Sequence, residues 1–329
     1  MNVRKYFASR MIQLVPILIG ITFLSFAMMQ VAGSDAVTEM YSNAGAAVSE
    51  ETLDAARARL GLDKPFIVQY FVWLGNMMTG DMGKSFISGR DVFQTFMSKL
   101  PATLLLTVMS VAATIVLSVP LGLLAAVSAE RSASEQDSTH RTIYSVIDNV
   151  VRFLSFIGNS MPNFFVALLL MNFLAIKLGL LPVISSGVTL ESAVMPTMTL
   201  AIAMTAKYIR QVRGAVLDEL GQGYVTGARA RGVRESVILT KSVLRSSLST
   251  LLTLLALSIG SLLGGTAIVE SIFMWDGVGK LAVDAITMRD YPMIQAYVVW
   301  MAIIYVGVNF VTDMLYVVID PRVRLRAEK

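Results

Sequence analysis

The sequence predicts an all-α polytopic membrane protein with six transmembrane helices. Of its 329 residues, 55% are hydrophobic and only 15% are charged, which is more apolar than an ordinary soluble domain of this size. The apolar residues form six runs, each long enough for the roughly 20 residues with which a helix crosses the hydrocarbon layer. Basic residues flank alternate ends of these runs, so we expect both termini to be cytoplasmic.

The first run extends from Met11 to Val31 and follows a short basic N-terminus. A cleaved signal peptide is the alternative, and Ala32-Gly33-Ser34 is weakly compatible with cleavage. The apolar core of a signal peptide is only about 7–15 residues long, which is shorter than this run. We therefore expect residues 1–31 to be a cytoplasmic N-terminus followed by a retained transmembrane helix.

Residues 32–99 are polar enough to form an extracytoplasmic segment. Ser49 can cap a helix that ends near Gly61. The apolar stretch from Phe66 to Met78 is too short to span a bilayer, so we expect an interfacial or packed helix there.

Residues 100–319 hold the other five predicted spans. Pro101 is expected to start the second span, and Pro120 should kink it. Pro162 and the polar residues before it should break the third span. The predicted spans are Leu100–Val127, Val150–Leu178, Leu190–Ile209, Leu248–Phe273 and Ala296–Ile319, and residues 320–329 form a basic cytoplasmic tail.

The loop of residues 210–247 is the most informative polar stretch. Between Lys207 and Ser249 the chain carries eight basic and three acidic residues, in a pattern that predicts a helix, a tight basic turn and a second helix. Cytoplasmic anchoring alone would explain the charge, but it would not explain an ordered pair of helices. Gly232 is expected at the turn because the chain there needs a positive φ.

This loop resembles the cytoplasmic coupling loop of permease subunits in bacterial ABC importers. Ala228, Gly232 and Leu244 match that family's signature, whereas Thr226, Gly227, Ser242 and Arg245 depart from it. The sequence around the turn, Tyr224…Ala228-Arg229-Ala230-Arg231-Gly232, is similar to that of the dipeptide, oligopeptide and nickel branch of the family. So are two outer stretches, Gly80-Asp81…Gly83-Lys84-Ser85 and Arg289-Asp290-Tyr291-Pro292.

The resemblance implies that this loop docks on a separate ATPase. The expected contact residues are Tyr224, Gly227, Ala228, Arg229, Ala230, Arg231, Gly232 and Val233. Arg229 and Arg231 would bind acidic groups of the ATPase. The implied partners are a second homologous permease subunit, two ATP-binding subunits, which carry the ATP and Mg, an extracytoplasmic solute-binding protein and the lipid of the bacterial inner membrane.

A second group of polar and small residues lies within the predicted spans. A carboxylate at mid-depth costs roughly 2.5–3.5 kcal/mol to insert, so Asp313 should face protein or water. Small residues spaced four apart let helices approach closely. The candidates for the pathway or a subunit interface are Asn159, Pro162, Ser261, Gly264, Tyr305, Asn309 and Asp313.

Other functional classes have less support in the sequence. A channel or ion-gradient carrier needs no docking loop. A membrane-embedded enzyme is disfavoured because the chain has no cysteine, no Walker phosphate loop and no plausible catalytic or metal-ligating cluster. We expect no cofactor on this chain and no nucleic-acid partner. Short peptides are the expected substrate, with nickel or a metal complex as the alternative.

Overall fold

The computed structural model describes residues 3–32, 49–60 and 63–319. These residues are predominantly helical, which confirms the all-α fold class. They divide into two compact units. The first unit contains Met1–Thr103 and Asp276–Gly307, and the second contains Leu104–Trp275 and Val308–Lys329. The predicted basic tail, residues 320–329, lies outside the described residues.

The first unit begins with helices α1 (Val3–Ala32), α2 (Glu50–Leu60) and α3 (Phe66–Met78). Helix α3 has the predicted bounds, and it packs against α1. Tyr70 stands edge-on to Phe23, with ring centroids 5.3 Å apart, and its hydroxyl lies 3.0 Å from that of Thr22. Phe71, on the other side of α3, is 63% exposed, so the helix has one packed face and one open apolar face.

Helix α4 (Val92–Ser134) begins before the predicted second span. Pro101 therefore does not start this helix, contrary to the prediction. Asp91 marks the start instead, because its carboxylate accepts a hydrogen bond from the Gln94 N–H at 2.8 Å. The helix is continuous through Pro120, and a kink there remains a prediction.

The second unit contains helix α5 (Ser138–Ser160), helix α6 (Asn163–Leu170) and its π-helical continuation π1 (Met171–Lys177). The predicted break of the third span is confirmed, because the chain bends by 101° between α5 and α6. The stretch between the predicted second and third spans is almost entirely helical. Asp137 caps α5 by accepting from the Thr139 N–H at 2.9 Å, which leaves only residues 135–137 between α4 and α5.

The remaining helices complete both units. Helix α7 (Leu190–Leu220) leads into α8 (Gly223–Ala230). A short turn then joins α9 (Glu235–Val237), the π-helix π2 (Ile238–Val243) and α10 (Leu244–Phe273). The stretch between the predicted fifth and sixth spans contains an additional helix, α11 (Val278–Thr287), and α12 (Tyr291–Ile319) follows it.

Helix α7 is the centre of the second unit and contacts α5, α6, α10 and π2. Two glycines permit its closest approaches. A Cβ at Gly122 would lie 2.6 Å from the Val212 Cβ, and one at Gly158 would lie 2.8 Å from the Ala206 Cβ. The sequence predicted close approach at Gly264 instead, where a Cβ would meet no atom within 4 Å. Gly264 therefore does not serve a close contact within the described residues.

The predicted number of spans is not confirmed. By length and apolar character, the described residues contain two helices able to cross a membrane, α4 and the Tyr291–Thr312 part of α12. A third is present if the bent α5–α6–π1 stretch counts as one broken span. Shorter apolar stretches occur at Val15–Met28 and Leu262–Phe273. The six-span count and the cytoplasmic termini remain predictions.

Candidate coupling site

The turn that follows α8 is a Schellman motif. The Gly232 N–H donates to the Arg229 carbonyl at 2.9 Å, and the Val233 N–H donates to the Ala228 carbonyl at 3.2 Å. This pair of bonds requires a left-handed residue just after the helix, and Gly232 has a φ of 73°. The prediction that the turn needs a positive φ is confirmed. Since a Cβ on Gly232 would meet nothing within 4 Å, the requirement is conformational rather than spatial.

An apolar cluster fixes the two-helix loop to the ends of the longer helices. Val225 of α8 is completely buried, and Ile238 of π2 is 1% exposed. Both belong to one cluster with Ala126 of α4 and with Val212, Val216 and Leu220 of α7. Ala228 packs against the same cluster. Movement of α8 would therefore be transmitted to α4 and α7 through direct contacts, because packed interiors deform little.

Arg229 forms a fork between two carboxylates. Its guanidinium donates to Glu130 at 2.8 and 3.1 Å and to Glu235 at 2.5 and 3.1 Å. Hydrogen bonds to the two carboxylates raise the pKa of Arg229, and the bond from Arg229 lowers the pKa of Glu235. The fork joins the end of α4 to both sides of the turn. The structure pairs the Arg229 side chain with two carboxylates of its own chain, and the predicted contact of Arg229 with the ATPase stays a prediction.

The outward surface of the loop carries the remaining polar candidates. Arg231 and Gly232 are exposed, and Val233 is 37% exposed. Arg231 makes no ion pair with any residue that the structure describes. The Tyr224 hydroxyl donates a hydrogen bond to the Glu219 carboxylate at 2.7 Å. Burial, and to a smaller extent this hydrogen bond, raises the pKa of Tyr224 to about 12. The loop therefore offers a basic and partly apolar surface while its other side is packed.

The predicted coupling residues thus fall into two groups. Ala228 and Arg229 attach the loop to the rest of the second unit. Val225, which was not predicted from the sequence, contributes to the same attachment. Tyr224, Gly227, Ala230, Arg231, Gly232 and Val233 lie on or near its surface. Glu130 was also missed. It lies 99 residues from Arg229 along the chain, and no local pattern in the sequence connects them.

The predicted pathway residues lie on α5, at the bend before α6, on α10 and on α12. Asn159 and Pro162 are exposed at the bend between α5 and α6, and Tyr305 is 41% exposed on α12. Asn309 is half-buried on the same helix. The side chains of Ser261 and Asp313 lie outside the described residues. Their assignment to a pathway or subunit interface stays a prediction.

Metal-binding clusters are absent from the part of the chain that the structure describes. It contains no group of three or more His, Cys, Asp or Glu side chains able to hold a metal ion. His140 has a 62% exposed side chain and lies 3.9 Å from the Asp137 carboxylate.

Two family models match the chain. The model described as the binding-protein-dependent transport system inner membrane component matches residues 118–325. The model for the N-terminal part of such membrane components matches residues 3–107. Together they leave only residues 108–117 unmatched between positions 3 and 325.

Characterised relatives match almost the whole chain. It is 38% identical to the oligopeptide transport system permease protein AppB of Bacillus subtilis, covering 97% of this chain and 98% of that protein. It is 34% identical to the glutathione transport system permease protein GsiC of Pectobacterium atrosepticum, covering 98% and 99%. It is 32% identical to the nickel import system permease protein NikB of Staphylococcus aureus, covering 99% and 94%.

The fold is similar to that of a solved transporter. A crystal structure of the MetNI methionine ABC transporter in inward-facing conformations matches with a TM-score of 0.55 and 19% identity. The match covers 69% of this chain and 97% of the other. At this identity the likeness concerns the fold alone.

Proposed function

This chain belongs to the binding-protein-dependent transport system inner membrane component family, and on that premise we propose that it imports short peptides. It is a permease subunit of an ABC importer, without an ATPase site of its own. We assign it to the bacterial inner membrane. ATP hydrolysis, with ATP and Mg, belongs to two partner subunits, and a second homologous permease subunit completes the pathway. An extracytoplasmic solute-binding protein delivers the peptide.

The observation that carries the mechanism is the attachment of the coupling loop. Its packed side is continuous with α4 and α7 through Val225 and Ile238. Its open side presents Arg231 and Val233. A partner that binds this open side differently in its ATP-bound and ATP-free states would shift the equilibrium between two arrangements of the helices. Alternating access follows from that difference in contacts.

Peptides are favoured as the substrate because of the relatives' names. The relative of 38% identity is an oligopeptide permease, and the one of 34% identity is a glutathione permease. Nickel is the second candidate, because a nickel permease matches at 32% identity over nearly the same length. The methionines of this chain offer little support for nickel, since Met in apolar helices is an ordinary packing residue.

Uptake in cells separates these two substrates. A strain that lacks this gene should fail to accumulate a radiolabelled dipeptide and should regain uptake when the gene is restored. Accumulation of radioactive nickel should be unchanged in the same strain. Normal peptide uptake combined with lost nickel accumulation would contradict the peptide proposal and support the nickel alternative.

A further inference from the structure

A basic cleft lies between α5 and α7, and two of its residues, Arg210 and Arg213, belong to the part of the predicted 210–247 loop that continues α7. It has a volume of about 530 Å³. Its lining residues are Asn149, Arg152, Phe153, Phe156, Arg210 and Arg213. Four of these lie three or four residues apart on α5, so they share one face of that helix.

The charge of this cleft is not balanced by the residues that the structure describes. Asp148 accepts two hydrogen bonds from Arg213, at 2.6 and 2.8 Å, and this carboxylate is 6% exposed. Arg152 is 3.9 Å from the same carboxylate and has a 58% exposed side chain. Arg210 is exposed and pairs with no carboxylate in the described ranges. Three guanidinium groups against one carboxylate leave a net charge of +2 at the cleft.

The apolar side of the cleft is equally exposed. The side chains of Phe153 and Phe156 are 64% and 63% exposed. From Ser138 to Asn149 the exposed residues of α5 are mostly polar, although Ile143 and Val146 are among them, whereas most of those from Val150 to Ile157 are large and apolar. Arg152 therefore lies where the surface of this helix changes from polar to apolar. Such a boundary is where phospholipid headgroups meet a membrane protein, and basic pockets between helices bind anionic headgroups there.

We propose that this cleft binds the phosphate group of an anionic phospholipid. Arg152 and Arg210 hold the phosphate oxygens, because the planar guanidinium matches phosphate geometry. The acyl chains lie along Phe153 and Phe156. The Arg213–Asp148 pair is a positioning element that keeps the two helices and the cleft in place. A free phosphate ion would use the arginines in the same way, but the exposed phenylalanines favour a lipid.

Lipid retention by the purified full-length chain tests this proposal. The variant is Arg152→Gln with Arg210→Gln, which leaves the buried Arg213–Asp148 pair intact. The control is Arg141→Gln with Lys241→Gln, which removes two exposed basic groups outside the cleft. Each protein is equilibrated with equal amounts of phosphatidylglycerol and phosphatidylcholine, and bound lipid is counted by native mass spectrometry.

We expect the unaltered chain and the control to retain phosphatidylglycerol in preference to phosphatidylcholine. The cleft variant should lose about tenfold in that retention, since each basic group near a membrane surface contributes appreciably to anionic lipid binding. Arg152→Lys with Arg210→Lys should retain more phosphatidylglycerol than the glutamine variant, because it keeps both charges, and less than the unaltered chain, because it loses the planar guanidinium groups.

Two results would overturn the proposal. The first is equal phosphatidylglycerol retention by the cleft variant and the unaltered chain. If the cleft variant then also lost a co-purifying second permease subunit, the cleft would be assigned to a contact between subunits. The second is displacement of the lipid from the unaltered chain by inorganic phosphate alone, which would assign the cleft to a free anion.

Discussion

Helices α8 and α10 end in the same backbone motif but are held in different ways. After α8, Gly232 has a φ of 73°, and the Val233 N–H donates back to Ala228. After α10, Met274 has a φ of 53°, and the Trp275 N–H donates back to Glu270 at 2.8 Å. The first turn uses a glycine. The second places a side chain in the left-handed region, which costs about 1–2 kcal/mol.

Burial explains why the second turn tolerates this strain. Phe273 and Trp275, on either side of Met274, are 1% and 0% exposed. The Phe273 carbonyl also accepts a hydrogen bond from the Ser185 N–H at 2.9 Å. Backbone strain persists where the surroundings determine the conformation. At Gly232 the neighbouring residues are exposed, so no comparable packing offsets the cost of a side chain.

The difference shows how the chain separates a fixed helix end from an accessible one. The end of α10 is determined by tertiary packing. The end of α8 is determined by its own hydrogen bonds, by a glycine, by one arginine fork and by apolar contacts on one side only, so its other side stays exposed. Substitutions that remove these supports one at a time should therefore have effects of different size at the two turns.

The largest effect is expected at the packed turn. Trp275→Ala would empty a completely buried site, and such substitutions cost about 3–5 kcal/mol of unfolding free energy. We expect a marked fall in the thermal unfolding temperature of the detergent-purified protein. Trp275→Phe, which keeps an aromatic ring, should lose much less. A fall in the alanine variant no larger than in the phenylalanine variant would show that burial does not support this turn.

The second effect concerns Gly232. Gly232→Val places a β-branched residue at positive φ, with a strain of about 1–3 kcal/mol, and should distort the open surface. We expect normal membrane insertion, weakened co-purification of the ATP-binding subunit and reduced uptake. Gly232→Asn should retain all three, because asparagine tolerates the left-handed region. Normal uptake by the valine variant would mean that this turn is not the coupling contact.

These two turns also show what the sequence could predict. Gly232 was predictable because its role depends on residues a few positions away, within one motif. The bounds of α3 and the break at Pro162 are local in the same sense. The left-handed Met274 could not be predicted, since no pattern marks a methionine for that conformation and its support comes from tertiary burial.

The Arg229 fork and the glycine at position 122 were missed for the same physical reason. Glu130 joins the site only after α4 and α8 have packed against each other. Gly122 matters because Val212 lies against it, and the pairing of α4 with α7 was not available from spacing. The sequence therefore predicts the helix, turn and helix of the coupling loop, whereas its contacts with α4 and α7 are seen only in the structure.

A smaller effect is expected from Arg229→Gln. Arg229 is 37% exposed, so losing its ion pairs should cost about 1 kcal/mol or less per pair. Hydrogen exchange should rise across residues 223–243. Arg231→Gln should leave exchange in the isolated chain unchanged and weaken ATP-binding subunit association instead. If both variants behaved alike, the distinction between an attaching and a contacting arginine would be wrong.

The fork should also respond to acid. Arg229 lowers the pKa of Glu235 in the folded protein. The stabilisation is thus fully present above the ordinary glutamate pKa, and it is lost as the pH falls through the lowered folded value. The rate of backbone hydrogen exchange in residues 229–235, corrected for its intrinsic pH dependence, should stay constant between about pH 5 and 8. A rise within that range would contradict the fork.

The smallest effect is expected from Met274→Gly. Glycine removes the left-handed strain, but it gives the unfolded chain more conformational freedom, which costs roughly 0.5–1 kcal/mol. The side chain lost is 47% exposed, so little burial disappears with it. The net change should be a stabilisation of at most about 1 kcal/mol, seen as a rise of a few degrees in the unfolding temperature.

Met274→Ala is the control, since alanine keeps the positive-φ strain while losing the same contacts, and it should be no more stable than the unaltered chain. A glycine variant less stable than the alanine variant would show that Met274 is not strained, and the contrast with Gly232 would then rest on packing alone.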